Sequence, residues 1–219
     1  PHSATGRLTR ICHVRLLLPL LADNNHNKPW SRRSPLAHAM TQHEYVFVAI
    51  SIILGLAITR LLHTIAMLIR VHRKVTFHWS TALWGLCVLA YVLQFWWVGW
   101  GLRDLDSWHF GDFVVLIVGA ICVYGAAEMA LPVPEGSGNL DFLVHSEGLG
   151  RLSCLSMLLY FFVGPYVNVT MFGNPLVPSL VVPAVGIVLT GLMIAVPRFF
   201  ASLAVVFAAY SALILALTA

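Results

Sequence analysis

The 219-residue chain is 59% hydrophobic and 10% charged, whereas soluble domains are about 45–50% apolar and about 25% charged. This composition excludes an ordinary water-soluble globular domain, because too few polar residues remain to cover its surface. The formal net charge is +4, but residues 1–39 alone carry +5 and residues 40–219 carry −1, so the main part of the chain offers no basic surface for a nucleic acid.

Residues 1–39 form a basic N-terminal segment without clear periodicity, whose one apolar patch, VRLLLPLLA, is too short to span and contains Pro19. Three interpretations stay open. The segment is non-native sequence upstream of a start at Met40, a disordered basic tail near anionic lipid, or an Arg-rich targeting segment. We expect this segment to carry no function, and residues 40–219 to form a six-helix transmembrane domain.

Apolar blocks of roughly twenty residues follow, which is the length that crosses a hydrocarbon core of about 30 Å. Helices are the expected spanning form, because every backbone amide in lipid needs an internal partner. The sequence therefore predicts an all-α, polytopic transmembrane helix bundle with about six spans. The predicted spans are residues 45–69, 79–100, 113–131, 152–172, 176–196 and 199–218.

The distribution of basic residues between the spans predicts the orientation. One side, after the first, third and fifth spans, holds Arg70, Arg73, Lys74, Arg151 and Arg198. The other side holds only Arg103. By the positive-inside rule the odd-numbered connections are cytoplasmic, and both termini lie outside if translation starts at Met40.

Arg60 and Glu128 are ionisable residues inside otherwise apolar spans. An arginine at the centre of a span costs about 2.5–3.5 kcal/mol on insertion scales, so it normally faces the bundle and has a partner. Counting from Arg70 places Arg60 about 15 Å from the cytoplasmic edge, and about 9 Å from the level of Glu128 along the membrane normal. Because both side chains are long and their spans run in the same direction, we predict an Arg60–Glu128 contact.

His63 lies three residues from Arg60, and we predict that it completes an intramembrane polar cluster of Arg60, His63 and Glu128. Two interpretations of His63 remain. It relays protons, because a histidine titrates near neutral pH, or it is an interior histidine that is held by hydrogen bonds. Gln94, Tyr91, Tyr124 and Asn168 are expected to form hydrogen bonds between helices.

Small residues at four-residue spacing predict close helix packing. Ser51 and Gly55 supply one such step in the first span. The sixth span contains Ala204, Ala208, Ala212 and Ala216. The simplest interpretation of both stripes is packing alone.

The motifs of common catalytic sites are absent: there is no H-E-x-x-H, G-x-S-x-G or P-loop. Asp141 and His145 have an i, i+4 spacing that fits a metal, but without a second histidine we expect a solvated loop end. We predict no catalytic residue, no metal site and no bound cofactor, and thus a protein that is not an enzyme.

The segment MTQHEYVFVAISIILGLAITRLLH, which begins at Met40, resembles the start of a family of small uncharacterised multi-pass proteins of the bacterial inner membrane. Glu44, Tyr45, Ser51 to Leu56 and Leu61–Leu62 carry the resemblance, together with Asp141, Phe142 and His145. The resemblance implies a bacterial membrane protein that begins near Met40, and it implies no activity.

We therefore expect a structural or accessory component of the bacterial cytoplasmic membrane, embedded in the lipid bilayer as a homo-oligomer or with other membrane proteins. The alternative is a transporter or channel subunit for a small solute, ion or proton, in which Arg60, His63 and Glu128 line the path. A third hypothesis is a redox enzyme that uses quinone or haem.

Overall fold

The computed structural model describes residues 41–72, 75–76, 78–105, 107–133, 140–141 and 148–218. The predictions for residues 1–39 and for His145 lie outside these residues. The described chain is all-α apart from one two-residue β-ladder, and six helices are long and apolar enough to cross a membrane, which confirms the predicted fold class. The helices are α1 (Gln42–Arg70), α2 (Trp79–Gly101), α3 (Phe110–Met129), α4 (Leu149–Tyr166), α5 (Leu176–Ala195) and α6 (Phe200–Thr218).

Polar caps start α1 and α3 about three residues before the predicted spans. At α1 the Thr41 hydroxyl accepts from the backbone N–H of Glu44 at 3.2 Å, and the Glu44 carboxylate accepts from Thr41 N–H at 2.7 Å. At α3 the Asp112 carboxylate accepts from His109 N–H at 2.9 Å. Such capping boxes satisfy N–H groups that the first helical turn leaves without partners. The predicted spans start later because they were drawn from apolar residues alone, and the first turn of each helix is polar.

The six helices form a closed ring in the order α1, α3, α4, α5, α6, α2, in which each helix contacts its two neighbours. α2 also contacts α3 across the ring. Aromatic side chains from α2, α4 and α6 fill the middle. The Tyr91 and Phe161 ring centroids are 5.4 Å apart at 88°, and those of Trp84 and Phe207 are 4.9 Å apart.

A short parallel ladder joins two connections at one end of the bundle. β1 (Val75–Thr76) follows α1, β2 (Leu140–Asp141) follows α3, and Val75 pairs with Leu140. The connections after the first and third spans therefore lie at the same end, as alternating spans require. We refer to this end as the inner end and to the opposite end as the outer end.

A buried hydrogen-bond chain links three helices near the inner end. Trp84 Nε1 donates to Ser153 Oγ at 2.9 Å, and Ser153 Oγ donates to the Ala126 carbonyl at 2.7 Å. Ser153 is fully buried, and Trp84 is 1% exposed. The chain thus joins α2, α4 and α3 through one hydroxyl.

Replacing Ser153 with alanine should lower the free energy of unfolding by about 1 kcal/mol, because it leaves the buried Trp84 N–H without its acceptor. The measurement is unfolding in mixed detergent and SDS micelles. Ser202→Ala on the exposed side of α6 is the matched control and should change little. Equal stability of the two variants would contradict a stabilising role for the chain.

The helical hydrogen bonding changes after Pro165. α4 passes through Pro165 and continues as a π-helical turn over Val167–Met171. Proline has no N–H to bond the carbonyl four residues earlier, and the next turn bonds with wider spacing, as in Phe172 N–H to Val167 O at 3.0 Å. Gly173 ends the turn with φ of 66°, a conformation that favours glycine.

α4 and α5 approach each other closely through two glycines. A Cβ at Gly186 on α5 would lie 2.7 Å from the ring of Phe161 on α4. A Cβ at Gly164 on α4 would lie 3.4 Å from Pro183 on α5. Each glycine therefore receives a bulky ring from the opposite helix.

The predicted alanine stripe of α6 is not a single packing face within the chain. Ala204 is buried and Ala208 half-buried, but Ala212 and Ala216 are exposed. Four residues advance a helix by about 400°, so each step turns the stripe by about 40° and three steps turn it by about 120°. The buried positions instead alternate steps of four and three. They are Phe200, Ala204, Phe207, Ser211 and Ile214.

The close packing predicted at Ser51 and Gly55 is not found at Gly55 among the described residues. Both residues are half-exposed, and a Cβ built at Gly55 meets nothing within 4 Å. A four-residue spacing does not follow the buried face of α1, whose residues recur at a mean spacing close to 3.6. These buried residues are Val46, Ile50, Leu54, Ala57, Leu61 and Thr64.

Candidate functional site

The predicted contact between Arg60 and Glu128 is confirmed. Arg60 Nη2 lies 2.7 Å from Glu128 Oε1 and joins α1 to α3. Towards the outer end of the same helices, the Tyr45 and Phe113 rings are 6.2 Å apart. Both intervals along the chain, Tyr45 to Arg60 and Phe113 to Glu128, are fifteen residues. The guanidinium of Arg60 and the carboxylate of Glu128 therefore lie at the same level.

The depth of the pair depends on where the hydrocarbon core lies along α1. α1 has 29 residues and is about 43 Å long, which exceeds a hydrocarbon core of about 30 Å. Taking the Tyr45–Phe113 level as the outer boundary, fifteen residues place the pair about 22 Å in, and thus about 8 Å from the inner boundary. Counting from Arg70, the last residue of α1, instead gives a depth of about 15 Å.

Both members of the pair are partly accessible from outside the ring. The side chain of Arg60 is 32% exposed and that of Glu128 is 35% exposed. Arg60 Nε is buried and has no hydrogen-bond partner among the described residues. A guanidinium offers five N–H donors, so one carboxylate contact leaves donor capacity for a further acceptor.

Exposed apolar side chains surround the pair. Ile52 and Leu56 precede Arg60 on the same side of α1, and Ile121 lies seven residues before Glu128 on α3, a step that returns to the same side. They are 61%, 56% and 53% exposed. We call this surface the α1–α3 face; its members are Ile52, Leu56, Arg60, His63, Ile121 and Glu128.

His63 does not join the ion pair. Its side chain is exposed, and within the described part of the chain it has no hydrogen bond or ion pair with Arg60 or Glu128. A step of three residues turns a helix by about 300°, so His63 is about 60° further round α1 than Arg60. The predicted cluster of three is therefore a pair with a separate histidine on the same outer face.

A groove of about 440 Å³ lies between α1 and α2 towards the inner end. Its walls are almost entirely aliphatic, and His72 is the one ionisable residue among the described side chains that line it. Leu61, Ile65, Leu86, Leu89 and Leu131 supply most of the surface. Such walls fit hydrocarbon and offer no polar chemistry.

A second cavity, of about 370 Å³, lies among α2, α4, α5 and α6. It extends from the outer connection at Asn174 and Pro175 to Tyr91, which is ten residues and so about 15 Å from the outer end of α2. It therefore reaches about half-way across the membrane. The π-helical turn of Val167–Met171 contributes Val167 and Asn168 to its wall.

Three tyrosines line the inner part of this outer cavity: Tyr91, Tyr160 and Tyr210. Tyr210 donates its hydroxyl proton to the Val182 carbonyl at 2.8 Å, and the Tyr91 hydroxyl accepts from Ser211 at 3.5 Å. The Tyr160 hydroxyl has no hydrogen bond to another described residue.

The sequence identified part of this cavity under a different interpretation. Tyr91, Gln94 and Asn168 are predicted to form hydrogen bonds between helices, and the bond from Ser211 to Tyr91 confirms this for Tyr91. All three also line the cavity, whereas Tyr124 does not. Tyr160 and Tyr210 were missed, because a single tyrosine in a span has no spacing partner. The available signal was depth, since each lies near the middle of its helix.

Among the described residues, no three metal-ligating side chains lie together. Searches against protein-family models, curated proteins and solved structures find no match for this chain.

Proposed function

We propose that this chain is a structural or accessory component of the bacterial cytoplasmic membrane and assembles with a second copy of itself through the α1–α3 face. The observation that carries the proposal is the Arg60–Glu128 pair, whose side chains are about a third exposed although both lie within helices long and apolar enough to cross a membrane. Charged groups within such spans are normally turned away from lipid. A protein surface that covers the pair removes this exposure.

The geometry of the pair favours a second copy as the covering surface. Because Arg60 and Glu128 lie at one level, a two-fold axis along the membrane normal places each charge opposite the unlike charge of the other copy. Homodimers with such isologous contacts are the commonest oligomers. The Glu128 carboxylate of the second copy then accepts a hydrogen bond from the N–H groups of Arg60 that the first carboxylate leaves free.

The membrane and the orientation rest on the charge distribution. The connections at the inner end and the residues that flank them carry the basic groups, so the positive-inside rule makes that end cytoplasmic. The resemblance of the segment from Met40 to bacterial inner-membrane proteins supports the bacterial assignment. The proposal includes no nucleic-acid partner.

The alternative, a transporter or channel subunit, receives less support from the geometry. That hypothesis needs Arg60, His63 and Glu128 along one path. Arg60 and Glu128 instead contact each other at the outer side of the ring, and His63 is exposed beside them. An ion pair on an outer face suits association more than conduction.

Cysteine cross-linking in native membranes tests the proposal. Ile52→Cys, Leu56→Cys and Ile121→Cys are made singly in a chain whose native cysteines are alanine, and are oxidised with copper phenanthroline. We expect a disulfide-linked species of twice the monomer mass from at least one of them, since facing Cα atoms need to approach within about 7 Å.

Val188→Cys on α5 and Val205→Cys on α6 are exposed controls on the far side of the ring and should stay monomeric. Arg60→Glu should abolish the cross-link by opposing like charges, and Arg60→Glu with Glu128→Arg should restore it. Monomers alone from all three face positions, or a link to a different protein, would overturn the homodimer.

A further inference from the structure

The outer cavity has the size of a small-molecule site. Its volume of about 370 Å³ lies within the usual range of about 300–1,000 Å³ for ligand pockets. Its inner wall is buried, with Tyr91 at 3% and Phe161 at 5% exposure, and its rim contains the exposed Asn174 and Pro178. A molecule entering from the outer end or from the adjacent lipid therefore reaches a buried inner part.

The chemistry of the lining excludes a charged ligand. None of the described side chains that line the cavity is an Asp, Glu, Lys, Arg or His. A charge taken from water into such a site would have no oppositely charged partner among these side chains, and its loss of hydration would therefore cost free energy that contact with apolar walls does not offset. The ligand that matches the cavity is therefore uncharged.

The polar groups that are present specify a hydrogen-bond acceptor on an apolar body. The Tyr160 hydroxyl at the inner part is a donor without a partner among the described residues. The walls between it and the rim are mainly apolar, from Phe95, Val163 and Val182. Irregular backbone within a membrane is tolerated where it lines a cavity, and in transporters interrupted helices mark binding sites. The π-helical turn after Pro165 lines the outer cavity in the same way.

We propose that the outer cavity binds an uncharged amphipathic molecule with a carbonyl oxygen that accepts a hydrogen bond from the Tyr160 hydroxyl. A glycerolipid supplies this chemistry through its ester carbonyl, and a lipid-soluble quinone supplies it through its ring carbonyl. The site is independent of the α1–α3 face, which lies on other helices, so it stands whether or not the chain dimerises.

Native mass spectrometry of the full chain in detergent tests the site with two probes, dioctanoylglycerol and decylbenzoquinone. We expect one molecule of at least one probe to bind per chain, and the probe that binds identifies the source of the carbonyl. Tyr160→Phe removes only the hydroxyl and should weaken binding about fivefold, the worth of one hydrogen bond. Val182→Trp fills the cavity and should weaken binding at least about fiftyfold.

Tyr124→Phe is the matched control for the hydroxyl, because Tyr124 does not line the cavity. Val188→Trp on the exposed side of α5 is the control for the added indole. Both should bind like the unchanged chain, and the unfolding temperature of every variant shows that it is folded. The proposal is overturned if neither probe binds, if Val182→Trp binds normally, or if Tyr160→Phe leaves the affinity unchanged.

Discussion

Replacing Glu128 with alanine should lower the free energy of unfolding by about 2–3 kcal/mol. Breaking a fully buried ion pair from one side costs about 3–5 kcal/mol, because the remaining charge is left without a partner. The value expected here is smaller, since both side chains are about a third exposed. SDS-induced unfolding in detergent micelles measures the difference.

A double-mutant cycle separates the pair from other effects. Arg60→Leu with Glu128→Leu should be less destabilising than the sum of the single changes, because no isolated charge remains. The exposed pair Arg103–Asp104, at 3.4 Å, is the control, and its removal should cost less than about 1 kcal/mol. Additive losses at Arg60 and Glu128 would show that the contact contributes nothing.

Gly186→Ala is expected to destabilise the bundle by about 2 kcal/mol. The added Cβ would lie 2.7 Å from the ring of Phe161, which is buried and has little space to move. Overpacking of this kind costs about 1–3 kcal/mol, and it forces α4 and α5 apart. The same unfolding measurement, with size-exclusion chromatography as a check on folding, detects it.

Gly191→Ala on the same helix separates the steric effect from helix propensity. Its Cβ would meet the nearest atom, on Leu158, at 3.8 Å, which is ordinary contact. Because alanine favours a helix over glycine by about 1 kcal/mol, this variant should be as stable as the unchanged chain or more so. A similar loss at both glycines would contradict close packing at Gly186.

The helices themselves follow from local properties of the sequence, and the sequence predicts them well. Each span is a block of apolar residues long enough for a bilayer, and lipid leaves helices as the solution for the backbone. The Arg60–Glu128 contact was predictable for the same reason. In a bilayer, two opposite charges in spans that run in the same direction are more stable in contact with each other than in contact with lipid. Glu128 is the acidic residue that lies farthest from the ends of a predicted span, so it is the expected partner of Arg60.

Relations between helices are less accessible from the sequence. The relative levels of Arg60 and Glu128 along the membrane normal depend on how far α1 is shifted along that direction relative to α3. The contact between Tyr45 and Phe113 near the outer end fixes this shift. The prediction that the alanine stripe forms one packing face was wrong, because residues at four-residue spacing shift progressively around a helix. Ala212 and Ala216 are therefore exposed. The outer cavity depends on the ring order, which brings residues of α2, α4, α5 and α6 together, and no local pattern contains that order.

The ladder at the inner end has a mechanical consequence. It couples the α1–α2 hairpin to the α3–α4 hairpin through Val75–Thr76 and Leu140–Asp141. At the opposite end, hydrogen bonds lie within each hairpin: His43 contacts the Gly99 carbonyl, and Tyr166 donates to Asp112. Separating the two hairpins at that end would keep these bonds intact but would part the Tyr45 and Phe113 rings, so the ladder at one end and this ring contact at the other both hold the hairpins together.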